Sequence, residues 1–494
     1  MEQLPVILGV GAAVLLAGVV AVRFSTRLGL PTLLVYLAIG VVLGEEGLGI
    51  QFDDAELTQS LGIAALVLIL AEGGLGTRWS VVRPALGPGI ALATVSVAIS
   101  VAVVGTAMYL VLDFDWRTAL LWGAVLSSTD AAAVFSVLRG KGIRKRLSGA
   151  VELESGLNDA PVYIMVILLA GTDPITWLVP LDVAYQLVFG ALVGLGLGWL
   201  GAQALRRAAL PATGLYPLAT VAVCVFAFAA GQLAQASGLM ATYIAGVVLG
   251  NSRLPHRSDT LSFAEGIGWL AQIGLFVLLG LFAAPARLLD MHTVLAGLFA
   301  GAVLLFIARP LSVVPSLLPF KIPWREQVFI SWAGLRGAVP IVLASIPLAQ
   351  GRPGADLLLD IVFVLVVVFT LLQGLTMTPL AKALGIAREA EPREVQVDAA
   401  PLDHLGANLL QVRIQPGSKL HGVYIAELRL PKGATVSLVV RNDTGFTPNE
   451  STRLAENDDL LIVTTESVRA AVERRIRAVD RAGRLARWKG ETGR

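Results

Sequence analysis

The sequence predicts an α-helical polytopic membrane protein of about thirteen transmembrane helices, with a small α/β domain after the last. Three observations carry this. Hydrophobic residues make up 55% of the 494 and charged residues only 15%, against about a quarter charged in soluble globular chains. Mean hydropathy is +0.75. Apolar runs near the ~20 residues that a helix needs to cross a bilayer follow one another up to residue 386, and the composition then turns polar. The expected spans lie near 4–22, 28–44, 57–75, 89–112, 118–138, 149–170, 183–205, 214–234, 239–251, 266–284, 293–318, 327–349 and 357–384. Glu2 is the only charge ahead of the first run, so it reads as a span and not as a signal peptide.

The connecting loops predict orientation. One alternate set holds fifteen Lys and Arg; the other holds only Arg117, Arg287 and Arg352. By the positive-inside rule the N-terminus is outside and the C-terminus cytoplasmic. The net charge of +2 gives no ground for a nucleic-acid partner, so lipid is the expected surroundings. Cys224 is alone in an apolar run and the four histidines are scattered, which argues against a disulfide or a histidine metal cluster.

Residues 387–401 form a charged linker, 402–480 the cytoplasmic domain and 481–494 a basic tail. Within the domain, apolar alternation predicts strands over "NLLQVRI", "ATVSLVVR" and "DLLIVTT". A short helix is expected at "LHGVYIAELRL", a turn around Asn442–Gly445 and a final helix at "ESVRAAVERRIRAVDR".

The membrane part carries charges where each costs about 2.5–3.5 kcal/mol on the insertion scale. At ~1.5 Å per residue, Asp130, Asp159 and Arg336 fall about 14–18 Å into a ~30 Å core. Two spans are broken at that depth. "SSTDAAAV" places capping residues in mid-membrane; "AGLRGAVP" surrounds Arg336 with Gly334, Gly337 and Pro340, and proline disrupts a continuous helix. Two broken helices in corresponding positions mark an inverted-repeat secondary transporter whose ion site uses the freed backbone dipoles.

On the sixth span Glu154, Ser155, Asn158 and Asp159 share one helical face. Asp159 and Ser155 offer oxygens to a hard monovalent cation. Desolvation disfavours the charged carboxylate, so Asp159 can hold a proton or a cation. Glu154 is expected to be balanced by Arg336, since an unpaired buried charge is costlier than a pair. Glu72, in "LILAEGGLG", fits either a cytoplasmic vestibule or simple interfacial placement.

These segments resemble the monovalent cation:proton antiporter superfamily, in particular its electroneutral NhaP-like branch. The motifs are "EGG" at 72–74, "STDAAAV" at 128–134, "ESGLNDAP" at 154–161 and "GLRGAVP" at 334–340. The resemblance implies a homodimer, with a scaffold around spans 1–3 and 7–10 and a moving core of spans 4–6 and 11–13. It makes Asp159 the shared cation and proton carboxylate. Ser155, Glu72 and the Thr129 carbonyl become cation ligands, Asp130 reaches the ion through water, and Glu154, Asn158 and Arg336 form the supporting network. Electrogenic relatives have two adjacent acids where this chain has Asn158–Asp159; one carboxylate implies one cation exchanged for one proton.

"GSKLHGVYIAELRLPKGATVSLVVR" followed by "NDDLLIV" resembles the C-terminal (TrkA-C-like) subdomain of RCK regulatory domains. This implies a small-molecule regulator and membership of the potassium/proton subgroup, residing in the bacterial inner membrane. A Na⁺(Li⁺)/H⁺ antiporter and a regulated cation channel are the rival readings. No "TVGYG"-like filter supports the channel. No nucleophile, base and metal set suggests an enzyme, and no cofactor is expected beyond the transported ions.

Overall fold

Helices overlie the apolar runs in the order in which the sequence places them. The computed structural model describes residues 3–28, 31–50, 52, 54–112, 114–130, 145–172, 174–386, 396–402, 407–441 and 444–482. The chain divides into two compact units near residue 387.

In the first unit α1 (Gln3–Leu28), α2 (Thr32–Leu43) and α3 (Ala55–Gly76) lead into α4 (Trp79–Leu112) and α5 (Trp116–Ser127). Then follow α6 (Lys145–Ala170), α7 (Val179–Arg207), α8 (Leu215–Leu233), α9 (Gly238–Gly250) and α10 (Arg257–Phe282). The last are α11 (Met291–Phe320), α12 (Trp324–Trp332), α13 (Val339–Ala349) and α14 (Ala355–Ala383). Among the described residues, eight helices are long and apolar enough to cross a membrane, and shorter apolar helices accompany them. Residues 131–138 of the expected fifth span, and the basic loop through Arg144, lie outside the described residues.

Where the sequence interrupts its apolar pattern with polar and small residues, the helices stop. α5 ends at Ser127 and Ser128 is extended. The expected twelfth span is two helices, α12 and α13, separated by residues 333–338. Pro340 stands in the first turn of α13, where a missing N–H costs nothing because that donor has no helical partner. α4 and α11 each widen into a π turn, at Leu92–Ser96 and Val303–Ala308; the π turn of α4 packs against the stretch of α11 just after its own. Small residues bring helices close: a Cβ on Gly74 of α3 would stand 3.1 Å from the Cα of Gly246 on α9. Such contacts replace the hydrophobic drive that lipid does not supply between helices.

The second unit is an antiparallel sheet of β1 (Gln396–Leu402), β2 (Ala407–Arg413), β3 (Ala434–Arg441), β4 (Thr444–Phe446) and β5 (Asp459–Thr465), in the order β1-β2-β5-β3-β4. α15 (Glu466–Ala482) carries Val472, Ile476 and Val479 on one stripe into a core with Leu410, Val412, Leu460 and Ile462. Two expectations are corrected. The linker over 387–401 ends in β1, whose backbone pairs with β2 from Gln396↔Arg413 to Leu402↔Ala407; an edge position tolerates Pro401 and a polar sequence. The helix expected over 420–430 is a single turn, Ile425–Leu428, because Gly422 takes a left-handed φ of 80° and Arg429 one of 46°. Asn442 and Asp443, at the expected turn, lie outside the described residues.

Candidate functional site

Polar residues of α6 face the two breaks. Ser128 Oγ donates to Asp159 Oδ1 at 2.7 Å. Asn158 Nδ2 donates to Thr129 Oγ1 at 2.5 Å. The unwound segment is also tied to the second break, because the Asp130 N–H donates to the Leu335 carbonyl at 2.8 Å. Gly337 permits that approach: a Cβ there would stand 2.1 Å from Asp130 Oδ2. Backbone groups that helices would otherwise consume thus hold the two breaks together.

A cavity of about 390 Å³ reaches this crossing. Glu72, Thr129, Asp130, Ser155 and Asp159, the five expected cation and proton residues, all line it. It extends past Thr77, at the end of α3, and Ser148, near the start of α6. Sequence reasoning missed further polar groups on its wall, among them Glu152 and Gln272. Glu152 is two residues from Glu154, and its charge inside an apolar helix was the available signal. Asp159 is 4% exposed and Ser128 and Asn158 are fully buried, so the carboxylate meets the cavity from a wall otherwise sealed by protein. Hydroxyl and carboxylate oxygens suit hard cations rather than soft metals.

Glu154 has a different partner from the one expected. Arg309 Nη1 donates to Glu154 Oε1 at 2.6 Å, and both side chains are buried. Arg309 Nη2 also donates to the Ile330 carbonyl at 2.9 Å, which the end of α12 leaves without a helical donor. Gly334 makes room, since a Cβ would stand 2.6 Å from Arg309 Nε. The glycines around Arg336 therefore do more than break a helix: one admits Arg309 and the other Asp130. Arg336 is 2% exposed, and its three guanidinium nitrogens have no hydrogen-bond partner among the described residues. Its carbonyl accepts from Thr370 Oγ1 at 3.0 Å. Arg309 escaped the sequence reading because it lies within an otherwise apolar run beside Pro310; a charge in such a run was the overlooked signal.

The opposite end of α6 is closed by arginines. Arg117 Nε donates to the Leu169 carbonyl and its Nη2 to the Leu168 carbonyl, each at 2.9 Å. Arg352 Nε donates to the Ala170 carbonyl at 2.5 Å, and both guanidinium groups also bond Gly171. Cations at a helix C-terminus satisfy orphan carbonyls and complement the helix dipole. Arg287 lies 3.4 Å from Asp360 and 3.8 Å from Asp356. The three arginines of the sparsely basic loops are thus all engaged structurally.

Helices broken at one level, crossing beside buried carboxylates and a cavity, define a membrane protein of the secondary-transporter class. Residues 11–383 match the sodium/hydrogen exchanger family (transmembrane region), and residues 409–477 match the TrkA-C domain. The chain belongs to the sodium/hydrogen exchanger family and carries a TrkA-C domain. It is 40% identical over 417 residues to the K⁺/H⁺ antiporter NhaP of Alkalimonas amylolytica, covering 83% of this chain and 71% of that one. It is 35% identical over 493 residues to the K⁺/H⁺ antiporter NhaP2 of Shewanella oneidensis, covering 98% of this chain and 85% of the relative. The fold is that of the sodium proton antiporter MjNhaP1 of Methanocaldococcus jannaschii, with a TM-score of 0.66 at 21% identity over 77% of this chain and 99% of that one.

Proposed function

We propose that this protein exchanges K⁺ for H⁺ across the bacterial inner membrane, with Asp159 as the group that holds either ion. The carrying observation is the cavity that gathers Glu72, Thr129, Asp130, Ser155 and Asp159, together with the K⁺/H⁺ antiporter names of its relatives. A cation entering the cavity meets carboxylate, hydroxyl and carbonyl oxygens that replace its hydration shell. Its positive charge displaces the proton from Asp159, and protonation in turn removes the charge that held the cation. The two occupants exclude each other at one carboxylate, which is what couples the fluxes. Asn158 contributes no second proton, so the exchange is 1:1 and electroneutral. Glu154, Asn158 and Arg336, with Arg309, hold the two breaks in register around the site.

On this reading thirteen spans form the antiporter, which works as a homodimer. The core of spans 4–6 and 11–13 shifts against the scaffold in an elevator-like movement. The excess of basic loops supports an external N-terminus and a cytoplasmic C-terminus, which puts the mouth of the cavity beside Thr77 and Ser148 on the cytoplasmic side. The TrkA-C domain then sits in the cytoplasm, where a small-molecule ligand biases transport.

The test is reconstitution into proteoliposomes containing a pH dye, with K⁺, Na⁺ and Li⁺ gradients compared. Proton flux driven by K⁺ and indifferent to an imposed membrane potential is the expected result. Flux driven by Na⁺ and Li⁺ alone would replace it with the Na⁺/H⁺ reading. Cation flux that needs no proton counterflow would mean a channel.

A further inference from the structure

Tyr243 takes no part in the scheme above, yet it touches the site helix at its most sensitive point. It lies on α9, is 2% exposed, and lines the cavity together with Ser155, Gly156 and Asp159. A Cβ on Gly156 would stand 2.4 Å from the Cε2 and Cζ of the Tyr243 ring and 2.8 Å from its hydroxyl. The ring therefore rests on bare α6 backbone, one residue from Ser155 and three from Asp159. The Tyr243 hydroxyl is 3.3 Å from Thr77 Oγ1 at the end of α3, and Thr77 lines the same cavity as Glu152 of α6. The Thr77 carbonyl accepts from Asn251 Nδ2, at the end of α9, at 2.8 Å. α9 is itself pinned to α3 by the glycine contact at Gly74 and Gly246. α3 and α9 thus form one wall, and Tyr243 is the part of it that meets α6 beside the ligands.

We propose that Tyr243 is a positioning residue for cation exchange. Its ring sets how far the Ser155–Asp159 face of α6 stands from the wall that carries Glu72, and its hydroxyl fixes Thr77 opposite Glu152 at the cavity mouth. The physical reason is geometric. Glu72 comes from α3 and Ser155 and Asp159 from α6, so the size of the hole between their oxygens depends on the α3–α6 spacing. Gly156 has no side chain of its own to rearrange, so any relief must come from the Tyr243 ring, and that ring is buried. A shift of one methyl group there changes every ligand distance across the cavity, and misplacement by about 1 Å can cost on the order of 100-fold.

This rests on Asp159 being the exchanging group, so Asp159→Asn is run alongside. The full-length protein is reconstituted, and initial proton flux is measured against K⁺ concentration at several pH values. Gly156→Ala drives a methyl into the ring. Its apparent KM for K⁺ is expected to rise ~10–100-fold, with a much smaller change in maximal rate. Gly156→Ala/Tyr243→Leu, which gives the methyl space, is expected to recover most of that loss. Tyr243→Phe keeps the ring and removes the hydroxyl, and is expected to leave KM within a few-fold of wild type while shifting the pH profile through Glu152. If Gly156→Ala does not fold, Tyr243→Leu alone serves, with a raised KM as the expected outcome. A folded Gly156→Ala of wild-type KM, a double variant no better than the single one, or a Tyr243→Leu of wild-type KM would overturn the proposal. If Asp159→Asn still exchanges, the exchange site itself is misassigned; if it is dead and the Tyr243 and Gly156 variants are normal, only this inference fails.

Discussion

Each of the two units buries an aspartate almost completely, and the two are treated in opposite ways. In the C-terminal unit Asp458 is fully buried and accepts from Arg441 Nε and Nη2 at 2.7 Å each, and from the Ala455 N–H at 2.8 Å. That hydrogen bonding also pushes the Arg441 guanidinium further above its ordinary range. In the membrane unit Asp159 accepts, among the described residues, from one neutral hydroxyl, that of Ser128, and borders a cavity. A bidentate guanidinium and an amide use up a carboxylate; a single hydroxyl leaves it able to take a proton or a cation. Glu154, five residues before Asp159 on the same helix, is paired with a guanidinium as Asp458 is, through one bond from Arg309 Nη1. Burial alone does not mark a working acid. Burial with unspent acceptor capacity beside a cavity is what supports the proposed role of Asp159.

Substitutions can break this contrast, and the largest effect is expected at Asp159, the proposed exchanging acid. Asp159→Asn keeps the size of the side chain and its bond to Ser128 while removing the exchangeable charge. K⁺-driven proton flux should fall to background in protein that purifies and melts like wild type; measurable flux would return Asp159 to the structural group. Next comes Arg309→Ala, which leaves Glu154 buried without its partner. Removing one member of a buried pair costs about 3–5 kcal/mol, so melting in detergent should drop well below that of Arg336→Ala, whose guanidinium holds no such bond among the described residues. Equal melting of the two would mean that Arg336 shares the pairing.

Asp458→Ala should be milder. Hydrogen bonds to charged groups contribute about 1.5–3 kcal/mol, and this loss should be confined to the C-terminal unit. Limited proteolysis should cut that unit faster, with proton flux retained and at most a shifted K⁺ dependence. Smallest is Asp115→Ala. Asp115 caps α5, accepting from Thr118 Oγ1 and from the N–H groups of Arg117 and Thr118, and these bonds hold its carboxyl below the ordinary value. Loss of an N-cap costs about 0.5–2 kcal/mol. Because the folded group is the stronger acid, its contribution is complete above the ordinary aspartate value of ~3.9 and fades as pH falls through the depressed one. Wild type and variant should therefore differ in thermal stability at pH 7 and converge at strongly acidic pH.

Much of this was legible in the chain. Period-2 alternation placed β5 at Asp459–Thr465 and β3 at Ala434–Arg441 without error in either bound, because a half-buried strand writes its exposure into successive residues. Polar residues in mid-span located both breaks, since a membrane tolerates them only for a reason. Partner choice was not legible. Glu154 and Arg336 sit at compatible depths, but depth is one coordinate of three, and Arg309 takes the contact through a gap that only Gly334 leaves open. β1 was hidden for a related reason: an edge strand needs backbone pairing rather than an apolar pattern.

By itself the sequence determined that the chain is a membrane protein, where its helices run and break, and that Ser155 and Asp159 face one way on a membrane helix; Glu72, Thr129 and Asp130 joined them through the family resemblance of their motifs. The first three follow from one-dimensional signals: hydropathy, periodicity, charge at depth and turn-forming composition. Only the tertiary structure decided that Arg309 neutralises Glu154, that Asp130 reaches across to Leu335, and that Tyr243 seats the site helix at Gly156. Those depend on which side chain arrives first at a shared space, and packing in three dimensions settles that.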